Sequence, residues 1–424
     1  VDHLLFAAYL IFFAWLVTKT KFFTASGLTN PQLVIIFLLK VIAGILYGWI
    51  GVYYGELAQM VDTWAYHYES KKEYQLLISD PQLFFGNIFH NVYIDGYTKF
   101  LAVEDSWWND LKGVFFVKTL AIFNLASFGN YYINVIFYSF VSMFGLLALY
   151  RVMKDVFPEK NMPILLATFL VPSVLYWTSG LHKDGIIFFG MMFVIYHIYF
   201  GLKENSFSFR RIISILFGLL LVLGLRNFMI IPFLPALFAW ILAAKVKKKP
   251  VLVFTAVYAV FLILFFTTKF IHPRLNFPEE VVARQEAFLK LGGGSAVNVQ
   301  KLEATLPSFI VNSPQAFALS TIRPYPSDVR HLLSLAASLE INFLLLIFLL
   351  FLLWRKNGTA ANPFLVFCVF FSFSVLMMIG YSVNILGAIV RYRSIVLSLL
   401  IIPMIAKIDW TRVNRLVFGN IMNK

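Results

Sequence analysis

Cysteine and charge are what this chain has least of. Its single cysteine, Cys368, sits inside an apolar run, so neither an internal disulfide framework nor a cysteine metal centre is open to it. Only 13% of the 424 residues are charged while 60% are hydrophobic, and the mean hydropathy is +0.79. That composition excludes a soluble globular enzyme, which would aggregate, and places the chain among membrane proteins. Also missing are a GxxxxGK[ST] phosphate loop, an HExxH helix, a GxSxG elbow and a glycine-rich dinucleotide fingerprint. Nucleotide hydrolysis, zinc proteolysis and esterase chemistry therefore lack their residues, and no pattern indicates a divalent metal or another cofactor. Acids are scarce as well, 21 against 35 Lys and Arg, for a net charge of +14.

What the chain has instead is long apolar runs. Lipid offers a bare N–H or C=O no partner, so runs of this length must be α-helices, and they are too long for the alternating strands of a barrel. They fall near 4–17, 32–54, 131–152, 162–178, 186–202, 212–225, 228–244, 251–270, 333–354, 364–380 and 383–406. The expected fold is all-α, a polytopic transmembrane bundle of about eleven spans. Assigned alternately to two sides, the connecting segments sort by charge. One set is basic: Lys19 and Lys21; Arg151, Lys154 and Lys160; Lys203, Arg210 and Arg211; Lys245, Lys247, Lys248 and Lys249; Arg355 and Lys356; Lys407, Arg412, Arg415 and Lys424. The positive-inside rule makes that set cytoplasmic, with the N-terminus outside and the C-terminus inside, as in a bacterial-type cytoplasmic membrane. The net charge is then a topology signal and needs no nucleic-acid partner. The first span lacks a small-residue cleavage pattern and reads as retained.

On the opposite side lie two long loops, 56–130 and 271–332, in which acids largely balance bases. Residues 80–101 and 114–128 mix aromatic, aliphatic and polar side chains, as expected of helices lying in the membrane interface. The run Gly292–Gly294 reads as a hinge within a partly ordered lid. The whole of 1–424 is expected to be one membrane domain.

Ionisable groups at membrane depth cost several kcal/mol unless they face a cavity or a partner, so their positions are informative, and all are expected on the outer side. Asp62 follows the second span in Val61-Asp62-Thr63-Trp64-Ala65-Tyr66-His67-Tyr68-Glu69. On a helix Asp62, Tyr66 and Glu69 share a face with His67 beside it, and a carboxylate walled by aromatics at the mouth of a span can serve as a general base. An ordinary solvated acid in an aromatic belt is the plainer alternative. His182, Lys183 and Asp184 occupy a tight turn between two apolar runs. The cationic pair suits an anion such as phosphate, and Asp184 suits a cation or the orientation of Lys183, unless the turn simply pairs its own charges. Arg226 separates two marginal spans, where a snorkelling arginine and a ligand contact look alike. Arg391 and Arg393 point about 200° apart on a helix, so one can face a cavity while the other snorkels or meets an acid. Arg323 stands on a stretch stiffened by Pro324 and Pro326, with Asp328 as a helix cap.

An acidic residue after an early span, interfacial helices in a long first outer loop and basic groups at the outer ends of later spans resemble the GT-C class of membrane glycosyltransferases. Val61-Asp62-Thr63-Trp64-Ala65-Tyr66 resembles its acidic motif, and Arg391-Tyr392-Arg393 a basic segment near its last spans. Arg323-Pro324-Tyr325-Pro326 resembles membrane proteins of polysaccharide clusters, including Wzy-like polymerases. The acidic motif follows the second span here rather than the first, which implies an extra N-terminal helix. The resemblance implies an outward-facing transferase that takes its sugar from a polyprenyl phosphate or diphosphate. Asp62 would deprotonate the acceptor, and Arg391 with Lys183 or Arg323 would stabilise the leaving phosphate. The alternatives are a polymerase of lipid-linked repeats and a flippase or transporter, for which charges should line a pathway and repeats should be visible. No repeat is evident.

Overall fold

The computed structural model describes residues 2–53, 62–94, 96–102, 104–246, 249–356 and 362–418. Val61, Lys247, Lys248 and Lys424, and the start of the first long loop, lie outside them. Among the described residues the regular elements are all helical, with two isolated bridges, Ala296 to Ile385 and Arg355 to Ile408. In chain order the helices used below are α1 (Asp2–Val17), α2 (Asn30–Tyr53), α3 (Asp62–Ser79), α4 (Trp107–Ser127), α5 (Tyr131–Val156), α6 (Lys183–Lys203) and α7 (Phe209–Arg226). They continue as α8 (Ile230–Val246), α9 (Pro250–Thr267), α10 (Leu306–Thr321), α11 (Leu332–Trp354), α12 (Pro363–Ser382) and α13 (Leu386–Lys407).

Eight helical stretches among the described residues are long and apolar enough to cross a membrane, not the expected eleven. Three physical reasons account for the difference. Helix α1 has 16 residues, short of the roughly 20 a bilayer core requires. The run 162–178 is split into Asn161–Phe169 and Pro172–Trp177, because Pro172 cannot donate to the preceding turn and excludes Val171 from the helical region. The runs 212–225 and 228–244 belong to one apolar stretch, Phe209–Val246, of 38 residues. Within it the dihedrals leave the helical region at Arg226 (φ −158°, ψ 70°).

The chain divides into two compact units. The first comprises Val1–Val152, Pro172–Ile231 and Glu286–Gly294. Its centre is the antiparallel pair α6 and α7, which touch at two glycines. A Cβ on Gly190 would stand 2.9 Å from the Gly218 carbonyl oxygen, and one on Gly218 would stand 2.6 Å from that of Gly190. Small residues let the two backbones approach, the usual device where lipid gives helices no hydrophobic reason to associate. That register brings the start of α6 and the end of α7 to the same level, which decides which charges meet. Helix α3 packs on α4, with Lys118 Nζ 2.7 Å from Glu73 Oε2 and Asn124 donating to Ser70 Oγ at 3.1 Å. Helix α2 takes Val135 of α5 against Gly44 and the Tyr131 ring against Gly48.

The second unit comprises Met153–Val171, Pro232–Gln285 and Ser295–Lys424. Here α12 packs on α10 and α13, and Gly380 lies directly against the Ala316 carbonyl. The two long loops are largely helical: the second contains Phe277–Leu291 as well as α10. Of the glycine run, Gly292 and Gly293 adopt positive φ (60° and 144°), as a turn that only glycine enters freely. Just beyond it Val297 donates to Asn384 O at 2.9 Å and Leu386 to Ser295 O at 3.0 Å. Gln285 donates to Gln300 O and Tyr381 O and accepts from Leu302 N, which satisfies its buried amide.

Candidate functional site

The site assembles in the first unit around the turn 178–184. Every neighbouring element grips that turn through its backbone. Thr63 Oγ1 of α3 donates to Leu181 O at 3.0 Å and shares a 2.7 Å hydrogen bond with Tyr131 of α5. The Tyr138 hydroxyl of α5 donates to His182 O. Gly180 lies against the Tyr47 ring of α2, and Gly185 against the Tyr138 hydroxyl, so neither position has room for a Cβ. The turn is overdetermined, and so is the direction of the side chains it carries.

Those side chains form a series in which carboxylates alternate with nitrogen groups, running from the surface inward. Asp62, with 53% of its side chain exposed, places Oδ2 3.7 Å from His182 Nε2. His182, buried, places Nδ1 2.8 Å from Asp184 Oδ2. Asp184, also buried, places Oδ1 2.5 Å from Nη2 of the buried Arg226. The Gly190–Gly218 register supplies the last contact: Asp184 is six residues before the crossing on one helix and Arg226 eight after it on the other, so both reach the same end. Both imidazole nitrogens face carboxylate oxygens.

Lys183 lies beside this series, its Nζ 5.2 Å above the Tyr66 ring, and that ring stands edge-on to His182 at 5.6 Å. His67, expected beside Asp62, is instead buried in an aromatic box with Trp64 (5.7 Å) and Tyr131 (5.3 Å). Burial, assisted by the charge of Lys71, pushes its imidazole down to about 4. Also in this unit is a cleft of about 770 Å³ lined by Glu73, Asn87, His90, Tyr93, Trp107 and Asp110 among others. Its rings are fixed at their polar edges, Tyr93 donating to Asp110 Oδ2 at 2.8 Å and Trp107 Nε1 to Ile88 O at 3.0 Å.

Arg323, Arg391 and Arg393 belong to the second unit, where Arg393 and Arg323 are in contact. Arg393 of α13 is 1% exposed and donates through Nη1 to Arg323 O at 2.5 Å. Glu340, buried on α11, acts on it electrostatically. Arg323 pairs with Asp328 at 3.4 Å and stacks on Tyr325. Arg391 is half-buried and lies over Tyr392, donating to its hydroxyl at 3.2 Å. The two arginines spaced by two do face different surroundings.

The expectation that ionisable groups at membrane depth all lie on the outer side needs correction. Lys40 lies within α2 and Glu340 within α11, both buried inside spans. The signal for Lys40 was a single cation in Leu38-Leu39-Lys40-Val41-Ile42, which counting over a whole span passes over. Thr63 and Tyr138 gave no signal, since a hydroxyl in an aromatic-rich helix looks the same whether or not it grips a turn. Compared with family models, curated proteins and solved structures, the chain finds no match.

Proposed function

We propose that this chain is an outward-facing membrane glycosyltransferase that takes a sugar from a polyprenyl phosphate or diphosphate for cell-envelope glycan synthesis. The observation that carries the reading is the series Asp62–His182–Asp184–Arg226, an accessible carboxylate backed by a buried imidazole and a buried ion pair. In the proposed step Asp62 accepts the proton of an acceptor hydroxyl as that oxygen bonds to the anomeric carbon. The bond from that carbon to the carrier's phosphate oxygen breaks, and the electron pair leaves with the phosphate. His182, held by Asp184, orients and stabilises the Asp62 carboxylate beforehand, and the proton that Asp62 accepts leaves to solvent from its exposed carboxyl. Lys183, over Tyr66 beside the same turn, is the nearby cation suited to the departing phosphate. A cleft of fixed aromatic edges and carboxylates in the same unit suits a polyhydroxylated acceptor. Arg391 and Arg323, which the resemblance also assigns to the leaving phosphate, belong to the second unit. The basic residues that follow α5, α8 and α13 support an outer placement of the loop bearing Asp62, with the C-terminus inside.

The test is donor consumption by the protein in lipid nanodiscs, supplied in turn with polyprenyl-phosphate and polyprenyl-diphosphate sugars and followed by release of the carrier. Asp62→Asn should lower turnover by about 10²-fold or more. Full turnover in that variant would remove Asp62 from the chemistry. Movement of the intact donor across the bilayer without carrier release would replace the transferase by a flippase.

A further inference from the structure

An ionisable side chain of this unit left over from the scheme is Lys40. It is the eleventh residue of the 24-residue α2, about 15 Å along its axis and near the middle of a span. It is fully buried, so it is not a snorkelling lysine whose amine reaches the interface. Its Nζ donates to Thr178 O at 3.0 Å, Thr178 Oγ1 at 3.2 Å and Ser179 Oγ at 3.1 Å. Its amine thus meets three neutral oxygens, all on the two residues that open the turn bearing His182 and Asp184. Higher on the same helix Gly44 touches Ser179 O and Tyr47 touches Gly180. The segment 178–180 thus climbs α2 from Lys40 to Tyr47, about two helical turns, as irregular backbone at membrane depth. Such backbone is tolerated in a membrane only where protein satisfies it, and an intramembrane lysine is retained only where it has a task.

We infer that Lys40 is a positioning residue of the site: its amine anchors the 178–179 backbone inside the membrane and so sets where His182 stands between Asp62 and Asp184. The inference goes beyond the transferase reading but uses its site, so its test must not depend on turnover. Nitrogen-15 spectra of histidine-labelled protein in nanodiscs, with the His182 signals identified by their loss in His182→Gln, report the two ring nitrogens directly. In Lys40→Met, which keeps the length and apolar stem but donates nothing, the His182 signals should move or broaden while those of His67 stay in place. Lys40→Gln, which keeps two N–H donors, should restore part of the wild-type pattern. If Lys40→Met does not fold, Thr178→Val and Ser179→Ala each remove one acceptor and should shift His182 in the same direction. Unchanged His182 signals in folded Lys40→Met, or in both acceptor variants, would overturn the assignment. Shifted signals in a protein whose wild type consumes no sugar donor would remove the transferase reading and leave the positioning role intact. Where turnover is measurable, Lys40→Met should lower kcat by at least tenfold with KM little changed, a split that loss of stability alone would not produce.

Discussion

Each unit buries an arginine, and the two are satisfied in different ways. Arg226 meets a buried carboxylate at 2.5 Å that lies 2.8 Å from His182 Nδ1, so a series of carboxylates and nitrogen groups reaches the surface at Asp62. Arg393 instead donates to a neutral backbone carbonyl, that of Arg323, and Nε and Nη2 have no hydrogen-bond partner among the described residues. The first arrangement fixes the position of every member, because moving one leaves another charge bare. In the second, a guanidinium holds a proline-containing segment through one bond, and its charge acts at longer range with Glu340. A series that ends at an accessible carboxylate leaves an oxygen open to solvent, whereas a cation tied to a carbonyl is accounted for by the structure it holds.

The widest gap should open when each arginine is removed. Arg226→Met leaves the Asp184 carboxylate buried beside His182 without its guanidinium, and should cost about 3–5 kcal/mol in thermal or denaturant unfolding in a fixed detergent. The double variant Asp184→Leu with Arg226→Met should cost less than the single one, because no bare charge remains. If the two substitutions simply add, the carboxylate and guanidinium are not coupled and the series is broken at that point. Arg393→Met removes one charge-assisted hydrogen bond and should cost less, about 1.5–3 kcal/mol. Equal losses for the two arginines would erase the difference between the units.

Much of this fold could be read from the chain, because a bilayer leaves helices as the only outlet for long apolar runs. The span count could not. Hydropathy does not register that Pro172 interrupts one run, or that the backbone leaves the helix at Arg226 within a stretch apolar at both ends. For the site, Asp62, His182, Lys183, Asp184 and Arg226 stood out because charge near lipid is costly, and the structure brings those five into one unit. Their order was invisible, since the contact of Asp184 with Arg226 depends on the Gly190–Gly218 crossing, and a glycine in a membrane helix does not name its partner. His67 is expected beside the face of Asp62, Tyr66 and Glu69, but that estimate is too loose. Five positions later on a helix is about 140° around the axis, enough to turn it from the open face into the aromatic box.

His67 gives the smallest effect and tests the premise of the comparison, that a buried charge needs an opposite one. It lies in the same unit as the alternating series, but the cation named beside it is Lys71, and burial already pushes its imidazole down to about 4. The unfolded chain takes up this proton near pH 6.5, its ordinary value, while the folded chain resists until about 4. Stability is therefore unaffected at pH 8 and falls as the pH drops through 6.5 toward 4, with about 2 kcal/mol lost by pH 5 from this residue alone. His67→Phe keeps a ring in the box and should flatten that part of the pH dependence while leaving stability at pH 8 nearly the same. The measurement is unfolding midpoint against pH for wild type and variant in one detergent. Parallel curves between pH 8 and 5 would mean that His67 accepts its proton as readily folded as unfolded. Burial without a counter-ion would then carry no penalty here, and the cost assigned to stripping Arg226 from Asp184 would lose its basis.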